Sequence, residues 1–226
     1  MSRWRVATRT LGELLITIGL VVLLFTGYEL WGTNVYTAKA QHELRGDLVR
    51  EWAQPAPAPT TPAVIPPPRV QLGHAFALLR IPRLGSDYAK TVLEGVDVTT
   101  LKKGPGHYPG TALPGQLGNF VVSGHRTTYG APFNRIDELR AGDVVGVETS
   151  AAYYVYRVTR NEVVEPTAVD VTHPVPGQPG VRPTQKVLTM TTCHPKYSAA
   201  NRLIVYARFD RVVPKTQGLP SELRGA

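Results

Sequence analysis

The chain has 226 residues, a net charge of +8 and one cysteine, with 20 prolines and 21 glycines. This length suits one modest domain with accessory segments, and the single cysteine excludes an intrachain disulfide. No basic cluster interleaved with aromatic residues is present, so we expect no nucleic acid partner. Most of the excess charge lies in residues 53–226, which carry +7 and suit a surface near an anionic membrane or cell wall.

The N-terminal segment predicts a membrane-spanning helix. Three arginines precede an apolar run over residues 11–31, which as a helix of about 30 Å is long enough to cross a bilayer. This charge arrangement places residues 1–10 in the cytoplasm and the rest of the chain outside the cell. A cleaved signal peptide is the alternative. An Ala-x-Ala cleavage pattern for it ends at residue 40, more than ten residues beyond the core of the apolar run at residues 14–28.

Residues 32–70 are expected to form a juxtamembrane stalk and a linker. The first part is polar and compatible with a helix, with Leu44, Leu48 and Trp52 spaced four residues apart. The stretch 53–69 is rich in proline, which fixes φ and removes amide donors. We therefore predict an extended, semi-rigid spacer there.

The folded unit is expected to cover residues 71–214, followed by a C-terminal tail at 215–226. Short runs rich in valine, tyrosine, leucine and threonine are each bounded by turn residues, which predicts an all-β closed barrel or sandwich. The runs are 75–82, 91–96, 118–125, 142–149, 152–166, 186–192 and 201–209. The segment 133–143 is compatible with one or two helical turns. The connection 166–185 carries five prolines, and connections this long are usually functional or disordered.

Cys193 ends an alternating strand in which Leu188 and Met190 form the apolar face. Structural cysteines outside the cell normally pair, so one unpaired thiol is either buried and inert or needed as a thiol. A nucleophile at a strand end is held by a rigid element yet open to a groove. Free cysteine has a pKa of about 8.5, and a neighbouring cation raises the thiolate fraction.

His125 is the strongest candidate base, because it follows a buried strand and a Ser-Gly break, as Cys193 follows its own strand. His194 is adjacent to Cys193, but neighbours in a strand point to opposite faces. Arg126 is set aside as a partner for the same reason. His107 is expected in a loop. For each of these histidines, a surface or structural role is the alternative.

Arg202 opens the strand that follows Cys193 after a loop of about eight residues. If this strand pairs antiparallel with the strand of Cys193, the guanidinium of Arg202 would lie near the thiol. There it would offer a permanent cation and several donors to an oxyanion or carbonyl. A solvated surface arginine is the alternative.

Taken together, these motifs resemble the sortases, membrane-anchored cysteine transpeptidases of Gram-positive bacteria. The family's TLxTC strand is matched by Thr189-Met190-Thr191-Thr192-Cys193, its histidine by Gly124-His125 and its arginine by Arg202. Met190 replaces leucine, which conserves size and apolarity. Residues 104–133 further resemble the class E sortases of actinobacteria.

The resemblance implies an eight-stranded β-barrel with a His125–Cys193–Arg202 site. Cys193 would attack the carbonyl of a Thr–Gly bond in the C-terminal sorting signal of an exported protein. Arg202 would stabilise the oxyanion or hold the substrate, and His125 would protonate the leaving amine. An amine of the peptidoglycan precursor lipid II, or a pilin lysine, would then resolve the thioester.

Class E similarity implies a Leu-Ala-x-Thr-Gly signal in preference to Leu-Pro-x-Thr-Gly. Tyr108 is a candidate for the groove wall, and Thr191 and Thr192 are further substrate-binding candidates. Thr192 would help the oxyanion through its backbone or its hydroxyl. The connection 166–185 would form one wall of the groove. It contains one acid, Asp170, so we expect no metal and no other cofactor.

Three other functions stay open on the sequence. An L,D-transpeptidase is also an exported cysteine enzyme, but its usual Ser-His-Gly-Cys motif is absent before Cys193. A membrane-tethered wall-binding module would contain the cysteine only as a packed residue. A metal site from His107, His125, Cys193 and His194 lacks finger-like ligand spacing.

Overall fold

The computed structural model describes residues 3–54 and 65–225. It begins with one helical run made of α1 (Arg3–Gly27), a π-helical turn (Tyr28–Gly32) and α2 (Thr33–Trp52). Helix α1 is long and apolar enough to cross a membrane, and none of its residues is buried. It overlaps the predicted span. Part of the predicted N-terminal segment (residues 1–2), most of the predicted proline-rich linker (55–64) and residue 226 lie outside the described residues.

Eight strands close into a barrel, which confirms the predicted fold class. The strands are β1 (Ala75–Arg80), β2 (Ala89–Glu94), β3 (Gly106–His107), β4 (Gly118–Ser123), β5 (Val144–Glu148), β6 (Ala152–Val164), β7 (Lys186–His194) and β8 (Asn201–Pro214). Around the barrel they run in the order β1, β2, β3, β4, β7, β8, β6, β5. The β2–β3 and β4–β7 pairs are parallel, and the other pairs are antiparallel.

Shorter helices occupy the connections. One α-helix, α3 (Val98–Lys103), joins β2 to β3, and its N-terminus is capped by the side chain of Asp97. The 3₁₀ turns are Pro82–Leu84, Ile136–Glu138, Val169–Thr172, Lys215–Gln217 and Ser221–Leu223. The turn at Ile136–Glu138 falls within the segment predicted to be helical. In the C-terminal tail, Leu223 is buried against β6.

Alternation of side chains along the strands builds the interior. Leu188 and Met190 of β7 are fully buried in the main core cluster, as the alternating pattern predicts. Phe120 of β4 and Val205 of β8 belong to the same cluster. Burial of each such side chain away from water contributes about 1.5–3 kcal/mol to the stability of the fold. The intervening side chains of these strands therefore face outward.

Strand β3 was not among the seven strands predicted from the sequence. The expectation that His107 lies in a loop is therefore wrong. This strand is too short to show an alternating pattern, since it is Gly106–His107 alone. It fills the space between β2, with which it is parallel, and β4, with which it is antiparallel. His107 is buried, and its Nδ1 lies 2.6 Å from Oε2 of Glu94. His107 is therefore a core residue.

Helix α2 lies against the barrel wall. Gln41 uses both ends of its amide: Nε2 donates to the carbonyls of Thr91 (3.1 Å) and Lys103 (2.8 Å), and Oε1 accepts from the amide of Thr91 at 2.7 Å. Leu48, one of the apolar residues noted in the stalk, is 3% exposed. The predicted stalk is thus a helix joined to the domain by polar and apolar contacts.

The close approach of β2 and β3 leads to the first prediction. A Cβ added at Gly106 would lie 2.0 Å from the carbonyl oxygen of Gly95, so Gly106→Ala must displace backbone. We expect Gly106→Ala to lower the free energy of unfolding by about 1–3 kcal/mol. Gly46→Ala is the control, because Gly46 lies in helix α2 and an added Cβ there would meet only Arg50 Nη1, at 4.0 Å. Chemical denaturation of the full-length protein in detergent, followed by circular dichroism, measures both variants. Equal midpoints would contradict the prediction.

Candidate active site

Cys193 and Arg202 face each other across two antiparallel strands. In the β7–β8 ladder, Cys193 pairs directly with Arg202. The cysteine is a free thiol and is half-buried. The Arg202 guanidinium donates through Nη1 to the carbonyls of Ala199 (2.9 Å) and Asn201 (3.0 Å), which fixes it over the end of the β7–β8 loop. The predicted antiparallel return is therefore present.

His125 follows the end of β4, which runs parallel to β7. The amide of Gly124 donates to the carbonyl of Thr191 at 3.1 Å, which continues the ladder past the last strand residue. The hydroxyl of Thr192 donates to the carbonyl of Gly124 at 2.7 Å. Extending the same register by two residues from the Ser123–Thr191 pair would place His125 beside Cys193. On this extension, His125, Cys193 and Arg202 would form one row across β8, β7 and the segment that follows β4.

Side-chain alternation assigns the row to the outer face of the barrel. Cys193 is an odd number of residues from the buried Met190 and an even number from Thr191, so it faces outward. His194 has the opposite parity, and its Nδ1 is buried without a hydrogen-bond partner in the described part of the chain. The expected separation of Cys193 from His194 is therefore observed.

Arg126 was set aside as a partner for Cys193, and the structure gives it another position. It is 3% exposed, and its guanidinium contacts the carbonyls of Asn134 (2.9 Å) and Cys193 (3.4 Å) and the carboxylate of Asp137 (3.0 Å). It therefore ties the end of β7 to the segment that follows His125. Alternation of side chains excluded Arg126 from the reacting groups, but it could not reveal this structural contact.

His125 lies in a partly desolvated and positively charged environment. Its ring centroid is 5.0 Å from that of Tyr129, with 41° between the planes. Burial lowers the pKa of His125, and the positive charge of Lys102 lowers it further. Both effects disfavour imidazolium, so the resting imidazole is neutral at neutral pH.

The connection between β6 and β7 packs on the same outer face. Val171, in its 3₁₀ turn, is buried against Ile204 and Tyr206 of β8. Asn119 of β4 donates to the carbonyls of Val171 (2.9 Å) and His173 (3.0 Å). This connection, which we predicted to be a groove wall, is thus anchored next to the strands that carry Cys193. Asn119 was not predicted, since a buried asparagine in an apolar run has no distinctive spacing.

The substrate-binding candidates occupy different positions. Thr191 is buried two residues before Cys193 on the same face. Thr192 faces inward, and its hydroxyl proton is used by Gly124. Tyr108 is half-buried, and its amide donates to the carbonyl of Val121 at 3.0 Å. This places Tyr108 about 13 Å along β4 from His125, at about 3.3 Å per residue.

No cluster of three or more histidine, cysteine or acidic side chains suited to a metal ion occurs within residues 3–54 and 65–225. His107, one of the four ligands considered, is instead buried beside Glu94. Cys193 and Arg202, which pair across β7 and β8, supply a thiol and a guanidinium, two groups that acyl transfer uses.

The positive charge near His125 leads to the second prediction. Lys102→Met removes a cation that opposes protonation, so we expect the pKa of His125 to rise toward its ordinary value of 6.5. Lys103→Met, which changes the neighbouring residue of α3, is the matched control. Titration of the His125 ring protons by NMR in the full-length protein, assigned with His125→Ala, gives the pKa. If the pKa of His125 falls in Lys102→Met, or shifts equally in both variants, Lys102 does not lower that pKa.

The sortase domain family matches residues 79–210. Sortase SrtE1 of Streptomyces coelicolor is 36% identical over 226 residues, which cover 96% of this chain and 61% of that protein. The chain thus spans about three fifths of the length of that relative.

Solved structures give the same assignment. Sortase E from Streptomyces avermitilis is 43% identical and superposes with a TM-score of 0.62, covering 68% of this chain and 99% of that one. Sortase E1 from Streptomyces coelicolor, solved with a tripeptide in its active site, is 36% identical with a TM-score of 0.62, over 69% and 99% of the two chains. Sortases are cysteine transpeptidases. On its fold, its strand-end motifs and this similarity, the chain belongs to the sortase family.

Proposed function

We propose that this chain is a membrane-anchored cysteine transpeptidase that attaches exported proteins to the cell wall. It would cleave the Thr–Gly bond of a C-terminal sorting signal and join the threonine to an amine of the wall precursor. The observation that carries the proposal is the direct pairing of Cys193 with Arg202 across β7 and β8, with His125 two residues beyond the end of β4, the strand parallel to β7. Nucleophile, proton carrier and oxyanion donor are the three groups that such an acyl transfer needs.

The first half-reaction forms a thioester. Neutral His125 accepts the thiol proton of Cys193 as the sulfur attacks the threonine carbonyl, giving a tetrahedral oxyanion. Arg202 donates hydrogen bonds to that oxyanion. As the intermediate collapses, the C–N bond breaks, and the imidazolium transfers its proton to the departing glycine amine. A neutral resting pair suits this sequence, because burial and Lys102 both lower the pKa of His125.

The second half-reaction forms the new amide. The acceptor amine attacks the thioester carbonyl, His125 takes a proton from that amine, and the sulfur of Cys193 leaves as thiolate. Proton return from the imidazolium restores the neutral pair. Conversion of a thioester to an amide is downhill, which explains the use of sulfur in aminolysis.

The substrate would lie along the outer face of β4 and β7. Support for a peptide ligand comes from sortase E1 of Streptomyces coelicolor, whose solved structure holds a tripeptide in its active site. The anchored β6–β7 connection would form one wall, with Thr191 beneath the peptide next to Cys193. Thr192 would contribute by linking β7 to the carbonyl that precedes His125. Tyr108 would contact a more distant part of the signal.

The finer identity of the partners is part of the same proposal. Similarity to class E members favours a Leu-Ala-x-Thr-Gly signal over Leu-Pro-x-Thr-Gly, with a stem-peptide amine of lipid II as acceptor and a pilin lysine as the alternative. Helix α1 would cross the cell membrane once, with its arginine-rich N-terminus in the cytoplasm and the barrel outside.

Peptide transfer tests the function and gives the third prediction. The full-length protein in detergent is incubated with a Leu-Ala-x-Thr-Gly or a Leu-Pro-x-Thr-Gly peptide and an amine, and mass spectrometry follows the ligated product and the thioester on Cys193. Cys193→Ala should abolish both species. His125→Ala and Arg202→Ala should each lower kcat/KM by about 10²-fold or more, since each group acts in the transition state.

The matched controls substitute a histidine and an arginine at positions outside the proposed site. His74→Ala and Arg208→Ala alter exposed residues on the same barrel and should retain wild-type rates. Product formation by Cys193→Ala at the wild-type rate would refute the mechanism, and an inactive wild type on both peptides would refute the proposed substrate class.

A further inference from the structure

The segment that follows β4 is a closed loop, residues 125–134, which we call the His125 loop. Its base is fastened by reciprocal contacts: the amide of Phe133 donates to the carbonyl of His125 at 3.0 Å, and Asn134 Nδ2 donates to the carbonyl of Arg126 at 2.9 Å. Arg126 Nε returns a bond to the carbonyl of Asn134 at 2.9 Å. The base of the loop is therefore fastened by hydrogen bonds between its own two ends.

The tip of the His125 loop has unfavourable backbone geometry. Tyr129, Gly130 and Ala131 have φ values of 51°, 71° and 40°, so three successive residues lie in the left-handed region. Only glycine adopts this region without steric strain. Non-glycine residues persist there when surrounding contacts determine the conformation. The tip therefore needs an external support.

Helix α2 supplies that support. The amide of Tyr129 donates to Oγ1 of Thr33 at 3.2 Å, and the amide of Gly130 donates to Oδ1 of Asn34 at 2.8 Å. One turn later, the hydroxyl of Thr37 donates to the carbonyl of Lys102 at 2.7 Å. A Cβ added at Gly130 would lie 3.0 Å from the methyl group of Thr37, so helix and tip are in close contact.

The supported tip faces His125. The Tyr129 ring lies against the His125 ring at 5.0 Å, and the ammonium of Lys102 lies 5.4 Å from the centre of the Tyr129 ring. Helix α2 thus contacts the backbone of both residues that shape the environment of the histidine. Between α2 and the barrel is also a cavity of about 320 Å³ bordered by Tyr129 and Gly130, so polar contacts carry much of the connection.

The support is continuous with the apolar helix α1. Thr33 is the first residue of α2 after the π-helical turn, and its hydroxyl donates back to the carbonyl of Glu29 at 2.7 Å. Such π-helical turns are rare in proteins, and those that occur are often found at functional sites. The segment next to the apolar helix is therefore also the segment that touches the His125 loop.

We infer that α2 is a brace for the active site: Thr33 and Asn34 are positioning residues that act through Tyr129 on the imidazole of His125. This inference rests on the proposed transpeptidase function of His125. The helix holds a strained tip in place, the tip holds the tyrosine ring, and the ring fixes the orientation of the general acid and base. The reaction then depends on a helix that lies outside the barrel strands.

Kinetics of the full-length protein in detergent provide the fourth prediction. Thr33→Val and Asn34→Ala should each lower kcat for peptide transfer by about 10-fold, with KM for the sorting peptide within about twofold, because orientation of His125 affects the chemical step. Thr33→Ser retains the hydroxyl and should restore the wild-type kcat. Val35→Ala, at an exposed neighbouring position of α2, is the control. Melting temperatures establish that each variant is folded.

A double-mutant cycle separates a brace from general stabilisation. Tyr129→Ala should lower kcat by itself, and Thr33→Val should cause little further loss in that background, because both act through one ring. Fully additive losses would overturn the inference. So would a rise in KM equal to the fall in kcat/KM at constant kcat.

A second readout does not require turnover. Diethyl pyrocarbonate modifies accessible imidazoles, and peptide mass spectrometry gives the rate at His125. Thr33→Val, Asn34→Ala and Tyr129→Ala should raise that rate several-fold, while Val35→Ala and Thr33→Ser leave it unchanged. Equal rates in all folded variants would reject the brace. If the wild type transfers neither peptide, the proposed function fails, and these labelling rates alone decide the inference.

Discussion

The parallel pairing of β4 with β7 is the constraint on which the site depends. Parallel strands run in one direction, so the residues that follow their buried portions emerge at the same end of the barrel. Here those residues are His125 and Cys193, and the antiparallel β8 adds Arg202 in direct register. A slip of one residue in either ladder would turn one of the three side chains to the opposite face. The register is therefore as important as the identity of the residues.

Buried polar groups fix that register from both sides. Thr192 joins β7 to Gly124 through its hydroxyl, and Arg126 joins the end of β7 to the His125 loop. Asn119 of β4 accepts a hydrogen bond from the hydroxyl of Thr189 of β7 at 2.6 Å and anchors the β6–β7 connection. Such satisfied networks favour one arrangement, because a shifted register would leave several buried groups without partners. The same contacts that hold the strands also position the walls of the groove.

Much of this architecture could be predicted from local patterns. The short loop before Arg202 predicted the pairing of β7 with β8, alternation along β7 predicted its apolar face, and apolar length predicted α1. The sequence could not reveal β3, since two residues show no alternation and Glu94, the partner of His107, lies 13 positions away. The contacts of Thr33 and Asn34 with the His125 loop were equally invisible, because they join residues 96 positions apart. Local periodicity predicts strands and faces, whereas such contacts depend on the assembled fold.

The central claim is that the side chains of residues 125 and 193 are neighbours, and the single native cysteine allows a direct measurement. If residue 125 continues the β4–β7 register, the two cysteines of His125→Cys lie about 4.8 Å apart, a backbone spacing that a disulfide can bridge. Mild oxidation of the full-length protein should give an intrachain 125–193 bond, identified by mass spectrometry as the loss of two hydrogen atoms. His74→Cys, at an exposed position before β1, should give none. If the folded His125→Cys variant forms only intermolecular bonds, the two residues are not adjacent and the proposed site is wrong.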